Sequence, residues 1–327
     1  GFAAADAEGA GLLKKQIEAE LARQVERTRA SGRNFSHGAP VAVSPKGSFY
    51  EVVIPDVSLS LSPTARLSLG AVAANVAPGA GNAWAVSLAV PKTMTIYEGD
   101  KPAAEVTVGA QRFSGLWFPE KGIMPKFDSA YGDVSVRGLG KDESRIEISS
   151  LKLVGNLEES NTRWNGPFRI DFSNIKIDVA GPEPMTVEAR GAAFTTAYKN
   201  LDPLRNAADD IGTAFDADGV LFRNRAAKEG AIAEIAASRL TAQGSVAAQG
   251  EKSSANLRGG FEGLRLSPSS PGLAVLTPQR GNVDIFVDNL PARDVAAFLA
   301  DAARGKGQGA GTIISVRNTF LHNADMN

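Results

Sequence analysis

Two aspartates one residue apart, Asp216 and Asp218, form the acidic pair whose spacing is most suggestive of chemistry. Together with Gly219 they make the Asp-x-Asp-Gly sequence that opens a calcium-binding loop. Such a loop needs a further acid at its twelfth position, and that position is occupied by Ala227. The calcium interpretation therefore fails on the sequence itself.

The same stretch, residues 214–222, resembles the first motif of the haloacid-dehalogenase-type phosphatases. This resemblance implies that Asp216 is a nucleophile, that Asp218 is a general acid, and that carboxylates share a magnesium ion. In that family the motif follows a hydrophobic parallel strand, whereas residues 209–213 here read Asp-Asp-Ile-Gly-Thr. A magnesium-dependent phosphatase using Asp216 and Asp218 is therefore kept only as a minor alternative.

Other residue types with strong chemistry are scarce. The chain of 327 residues has no cysteine and two histidines, His37 and His322. A cysteine nucleophile and a thiolate zinc site are therefore excluded, and a Ser-His-Asp triad or a multi-histidine metal site is disfavoured. We expect no catalytic residue, no metal and no cofactor, and we interpret the protein as a non-enzyme.

The charge balance disfavours a nucleic-acid partner. Lys and Arg number 35 and Asp and Glu number 36, which gives a net charge of −1. Nucleic-acid-binding proteins present a basic excess or a basic stripe. The longest basic run here is Lys14-Lys15, so we expect no nucleic-acid partner.

Residues 1–34 predict an amphipathic N-terminal helix over residues 7–31. Asp6 can cap it, and Gly32 stands where a left-handed C-terminal residue is expected. Its apolar side chains recur at every fourth residue: Leu13, Ile17, Leu21 and Val25. We expect this face to pack on a sheet. The alternative, a helix lying on a membrane surface, is weakened because the polar face mixes both charge signs.

Residues 35–201 change to a period of two, which predicts antiparallel strands with one dry and one wet face. Phe168, Ile170 and Phe172 alternate with charged residues, and the parity then flips at residues 173–174. That flip predicts a bulge or a tight bend. Residues 202–237 show mixed helical spacing, and we predict one or two helices there.

Residues 238–327 predict a third β unit. It includes a short helix over residues 294–303, a glycine-rich linker over 305–311 and a strand over 312–316. The predicted fold class is mainly β (α+β), a long curved antiparallel sheet of tandem β units with an N-terminal helix and a helical insertion near 202–237. The four segments, 1–34, 35–201, 202–237 and 238–327, are either separate or parts of one continuous domain.

A sequence pattern recurs along the strands. Residues 65–69 lead to Trp84, residues 144–148 lead to Trp164, and a fainter third copy opens at residue 238. The matching positions are an arginine followed by alternating leucine or isoleucine, the tryptophan before a strand and a closing glycine, all of them framework residue types. Because no catalytic residue repeats, the pattern favours a tandem β scaffold and argues against a repeated active site.

The leading helix, the alternating strands and the final Gly-Thr-x-Ile-x-Val segment, residues 311–316, resemble the AsmA-like repetitive β proteins of the Gram-negative envelope and related periplasmic families. The resemblance implies an upstream signal or membrane anchor, a periplasmic location, and a curved sheet with an apolar groove for lipid. These families offer no catalytic motif, so the resemblance assigns no functional residue.

The leading prediction is a non-enzymatic periplasmic protein that binds or shields a lipid or another apolar ligand. The predicted groove consists of Leu59, Leu61, Leu67, Leu69, Leu88, Val90, Phe168, Ile170 and Phe172.

The alternative is a structural or protein-interaction module of the envelope, docked through a sheet edge or a hydrophobic loop that can also touch a membrane peripherally. The predicted contact residues are Phe113, Trp117, Phe118 and Phe127. Whether this loop is an exposed tip or covers one end of the sheet is left open.

Overall fold

The computed structural model describes residues 4–30, 34–140, 143–205, 207–249, 252–268, 278–291 and 313–322. Contacts divide the chain into two compact units. Unit 1 comprises Gly1–Asn156 and Ile177–Gly181, and unit 2 comprises Leu157–Lys176 and Pro182–Asn327. The short helix predicted at 294–303 and the linker predicted at 305–311 lie outside the described residues.

Unit 1 opens with the predicted helix, α1 (Ala7–Ala30). Asp6 caps it as expected, because its Oδ1 accepts a hydrogen bond from the Gly9 N–H at 2.7 Å. Three residues of the expected apolar stripe, Leu13, Ile17 and Leu21, are buried against the sheet, so the packed interpretation is confirmed for them. The fourth, Val25, is half-buried. Among the described residues, no helix combines the length and apolarity required to span a membrane.

The rest of unit 1 is β structure in which every described pairing is antiparallel. Its strands are β1 (Phe35–Ser36), β2 (Ala42–Lys46), β3 (Phe49–Ser60), β4 (Ala65–Pro78), β5 (Trp84–Ala89), β6 (Thr93–Glu98), β7 (Lys101–Phe118), β8 (Ile123–Gly138) and β9 (Arg145–Asn156). Two 3₁₀ turns, Ala80–Asn82 and Pro119–Lys121, join neighbouring strands.

Two apolar clusters lie among the described residues of unit 1. One lies beneath α1, where the helix stripe packs against β-strand residues that include Val52, Val76 and Trp117. Trp84 joins its edge and donates from Nε1 to Gln16 Oε1 at 2.7 Å. The second cluster is centred on three buried residues of β6 and β7: Met94, Val106 and Val108.

Several long strands contain a residue in the left-handed backbone region. Asn174 has φ 50°, a backbone irregularity at the position where the sequence predicts a bulge or a tight bend. Asp56 in β3 and Asp133 in β8 both have φ 49°, and the β3–β4 register shifts on either side of Val57. Asp and Asn tolerate this region better than other non-glycine residues. Each such residue interrupts the strict alternation of side chains along its strand.

Every pairing assigned among the described strands of unit 2 is again antiparallel. The strands are β10 (Glu158–Ser160), β11 (Arg163–Val179), β12 (Met185–Leu201), β13 (Asp210–Asn224), β14 (Ile232–Gln249), β15 (Lys252–Glu262), β16 (Arg265–Pro268), β17 (Arg280–Pro291) and β18 (Ile313–His322). β12, β13, β14, β15, β17 and β18 pair in that order, and β16 pairs with β14. The end of β11 belongs to unit 1.

The predicted fold class, mainly antiparallel β with an N-terminal helix, is confirmed. The predicted helices at 202–237 are wrong, because β13 and the start of β14 occupy that segment. Alanine and glycine fill many of its alternate positions, so the period of two is weak in the sequence. Hydrogen bonding to β12 on one side and β14 on the other outweighs the local helix preference of alanine.

The first two copies of the recurring sequence pattern start at or near the first residues of strands. They do not correspond to separate structural units. Trp84 is the first residue of β5, and Trp164 is the second residue of β11. The second copy is divided, because β9 lies in unit 1 whereas residues 157–176 lie in unit 2. The predicted terminal strand is present as β18.

Two adjacent leucines test the packing of α1. Leu13 has no exposed surface, whereas the side chain of Leu12 is 55% exposed. We expect Leu13→Ala to lower the free energy of unfolding of unit 1 by about 2–5 kcal/mol, because it leaves a cavity beneath the helix. Leu12→Ala should change it by less than about 0.5 kcal/mol. Urea unfolding of both variants measures this; equal effects would contradict the assigned packing face.

A substitution at Asn174 tests the bend in β11. This residue is exposed and has φ 50°, so its side chain loses little packing when it is replaced. We expect Asn174→Val to destabilise by about 1–2 kcal/mol, because a β-branched residue is strained in the left-handed region. Asn174→Gly should be neutral or slightly stabilising. If the valine variant matched the glycine variant in urea unfolding, the left-handed conformation would be refuted.

Candidate functional site

Unit 2 sorts its side chains onto two chemically different faces. Phe194 in β12 lies opposite Phe215 in β13, and Phe215 lies opposite Ala242 in β14. The row continues through Gly259 in β15 to Val283 in β17. Directly paired residues share a face, as do residues two apart on one strand. The register therefore defines one apolar face, on which Phe, Leu, Ile, Val, Ala and Gly predominate.

We call this surface the apolar face. Its large members in β12 to β17 are Phe194, Tyr198, Ile211, Phe215, Leu240, Val246, Leu257, Phe261, Val283 and Ile285. Several are unusually open to solvent: Phe194 is 40% exposed, Phe215 38% and Leu257 43%. From residue 157 to residue 322, none of the described residues is helical. The helix that covers part of unit 1 thus has no described counterpart in unit 2.

The opposite face of the same strands is polar. Here Asp216 pairs with Arg239, and Arg258 donates to Asp284 at 2.7 Å. A depression of about 650 Å³ lies on this face between the Asp216–Arg239 pair and Arg169. Hydrogen bonds from Arg239 hold the pKa of Asp216 below its ordinary value. The Asp216–Arg239 pair is partly exposed, as is typical of a hydrated surface, whereas Asp284 is buried and is paired with the more exposed Arg258.

The apolar face extends to residues predicted from the sequence. The Phe168 ring meets the Tyr198 ring edge-on, with centroids 5.7 Å apart. Ile170 and Phe172 follow Phe168 at intervals of two before the bend at Asn174, so alternation predicts the same face. Burial raises the pKa of the Tyr198 hydroxyl. All three predicted β11 residues are half-buried.

The six groove residues predicted in unit 1 do not form one continuous surface. Leu67, Leu69 and Val90 pack on the Met94–Val106–Val108 cluster, and the exposed Leu59 lies directly opposite Leu67 in the β3–β4 register. Leu88 packs instead on the cluster beneath α1, and Leu61 is exposed. Left-handed residues such as Asp56 and Gly70 interrupt the period of two that the prediction assumed.

The predicted hydrophobic contact loop folds onto unit 1. Phe113 and Phe127 stack with ring centroids 6.1 Å apart, and Trp117 is 9% exposed. Phe118 precedes the 3₁₀ turn and places its ring 5.4 Å from the Lys121 ammonium. None of these four aromatic residues is exposed. The exposed-tip alternative is wrong, because the turn is short and its flanking residues pack on the core.

The sequence interpretation missed most of the apolar face. The sequence pattern does not point to Phe194, Phe215 or Leu257, and it predicts helices over residues 202–237. The available signal was the alternation of Ile211, Thr213, Phe215 and Ala217 with aspartate, glycine and alanine. Cross-strand register then supplied what one strand cannot show, namely which residues of different strands share a face.

The positions of Asp216 and Asp218 in the fold do not support the phosphatase alternative. Asp216 lies within β13, and Asp218 follows on the same strand between two antiparallel neighbours. The Asp216 carboxylate already accepts hydrogen bonds from Arg239 Nε. Within the described parts of the chain, no three acidic, histidine or cysteine side chains come together as a possible metal site.

Comparisons with known proteins do not place this fold in a family. The chain shows no significant match to a protein-family model, to a curated protein or to a solved structure. Its functional interpretation rests on the geometry of the two units.

The Asp216–Arg239 pair predicts a defined acid dependence. The pKa of Asp216 is lower in the folded chain than in the unfolded chain, so the unfolded chain binds more protons in acid. The pair therefore adds stability above the unfolded pKa, and this contribution is lost as the pH falls through the folded pKa. Asp216→Asn should flatten the fall in unfolding free energy between about pH 5 and pH 2.

Urea unfolding at several pH values measures this change. Asp218→Asn is the matched control, because it removes a carboxylate from the same strand and keeps the pair with Arg239. An Asp216→Asn profile parallel to that of the parent protein would show that the pair does not contribute to acid stability.

Proposed function

We propose that the protein is a non-enzymatic lipid-binding protein that holds acyl chains on the apolar face of unit 2. The observation that carries this proposal is a set of large apolar side chains on one sheet face, each 37–43% exposed. Contiguous exposed apolar surface is uncommon in soluble proteins and marks ligand or partner sites. The members are Phe194, Ile211, Phe215, Leu257 and Val283.

The arrangement of small and large residues suits a chain-like ligand. In the central row, Ala242 and Gly259 separate Phe215 from Val283. Phe215 and Val283 are thus three strand spacings apart, about 14 Å. The small residues leave the sheet low between them, and Gly244 extends this low strip along β14. Acyl chains lying in the strip would contact apolar side chains on both sides.

Acyl chains can bind to this face without specific polar recognition. Removing apolar surface from water contributes about 25 cal/mol per Å², and methylene groups require no hydrogen-bond partners. Both the sheet face and the acyl chain lose apolar exposure on contact. The hydrated ion pairs lie on the other face, so lipid can bind without desolvating them. The separation of the apolar face from the ion pairs supports a role in binding or shielding lipid. The periplasm is the location that the AsmA-like resemblance implies for this role.

The envelope-module alternative uses the same apolar face with a different occupant. Apolar side chains of a protein partner would also be stabilised there. The aromatic loop no longer supports this alternative, because Trp117 and its neighbours pack within unit 1. We favour lipid because small and apolar residues predominate along the low strip. Thr196 and Thr213 lie beside it, and the Thr213 hydroxyl already donates to the Gly244 carbonyl oxygen.

A charge-introducing variant tests lipid binding. We expect the double variant Phe194→Asp/Phe215→Asp to reduce extraction of a fluorescent two-chain phospholipid from vesicles at least tenfold, because two carboxylates would have to be desolvated beneath the acyl chains. Circular dichroism should remain unchanged, since both side chains are partly exposed.

Thr195→Asp is the matched control. Thr195 follows Phe194 directly but faces the polar side, opposite Ala214, so this variant should extract phospholipid as the parent protein does. Unchanged extraction by the folded double variant would refute the proposal. Parent protein that binds no phospholipid but retains a co-purifying protein, lost in the double variant, would favour the envelope-module alternative.

A further inference from the structure

An apolar cavity of about 340 Å³ lies in unit 1 between α1, the β3–β5 strands and the turn after β7. It is distinct in its residues from the apolar face of unit 2. Its walls are almost entirely aliphatic or aromatic, and it is at the small end of ligand pockets, which span about 300–1,000 Å³. The principal wall residues are Ile17, Ile54, Ala74, Leu88, Trp117 and Met124.

Two polar side chains of α1, Glu20 and Gln24, also line the cavity. Gln24 Nε2 donates to Glu20 Oε1 at 2.7 Å. Arg23 Nη2 lies 2.6 Å from Glu20 Oε2 and also donates to the Pro119 carbonyl oxygen at 3.0 Å. The polar end of the cavity therefore holds one carboxylate whose charge is compensated by one guanidinium.

This polar end has unused hydrogen-bonding capacity. Among the described residues, Arg23 Nε is buried and has no hydrogen-bond partner. Glu20 Oε2 is in ionic contact with Arg23 Nη2, but a carboxylate oxygen has two lone pairs and can accept from a second donor. The terminal torsion of a glutamate is soft, so the carboxylate can turn towards a donor placed in the cavity.

We propose that this cavity binds an uncharged single-chain amphiphile that carries a hydroxyl head group, of the fatty-alcohol or monoacylglycerol class. Its chain lies among the aliphatic walls, and its hydroxyl donates to Glu20 Oε2. A free carboxylate head would face Glu20 and is repelled. An ammonium head would add a second cation beside Arg23. A volume of about 340 Å³ suits one short chain better than a two-chain phospholipid, so this site differs in ligand class from the face proposed in unit 2.

Calorimetric titration with decanol and decanoate tests the assignment. We expect one decanol per chain in this site, bound at least tenfold more tightly than decanoate. Ala74→Leu, which fills the cavity, should abolish this binding. Leu88→Ala, which enlarges it, should shift the preference towards dodecanol. The double variant Phe194→Asp/Phe215→Asp should leave decanol binding in unit 1 unchanged, which separates this inference from the proposed function.

The head-group assignment has its own variants. Glu20→Gln leaves the Arg23 charge uncompensated and should reverse the preference, so that decanoate binds at least as tightly as decanol. Glu18→Gln, an exposed substitution on the same helix, should keep the parent preference. Decanol binding that survives both Ala74→Leu and Leu88→Ala without change would overturn the cavity assignment. Equal affinities of the parent protein for decanol and decanoate would overturn the assignment of the head group.

Discussion

The continuous antiparallel register of unit 2 is the constraint on which the functional account depends. Each strand alternates its side chains between two faces, and the register aligns those alternations across neighbouring strands. Phe194, Phe215 and Val283 consequently share a face, while Asp216 and Arg239 share the other. A slip of one residue in any pair would place aromatic rings among ion pairs, so the charge pairs and the apolar face specify the same register.

The apolar side chains of unit 1 are arranged differently from those of unit 2. Helix α1 covers part of its apolar surface, and left-handed residues such as Asp56 and Asp133 break the alternation along its strands. Apolar side chains are thereby gathered into two compact clusters. The cavity beneath α1 remains because the helix residues do not fill the space above Ala74 and Leu88. An exposed sheet face in unit 2 and a small cavity beside α1 in unit 1 suit lipids of different size.

The sequence predicted the elements better than the surfaces. The cap at Asp6, the buried helix stripe and the backbone irregularity at Asn174 follow from local patterns, and each is observed. The segment 202–237 was misassigned because alanine favours helix locally, whereas its strand structure depends on partners on both sides. Phe168 was found because its own strand alternates clearly. Phe215 was missed because its place on the apolar face is defined by long-range pairing.

Photocrosslinking with a two-chain phospholipid that carries a diazirine in its acyl chain tests the central claim most directly. Peptide mapping after irradiation should place the crosslinks on apolar-face residues of β12 to β15, such as Phe194, Phe215 and Leu257. Adducts confined to the polar face around Arg239, or no adducts in unit 2, would contradict the account.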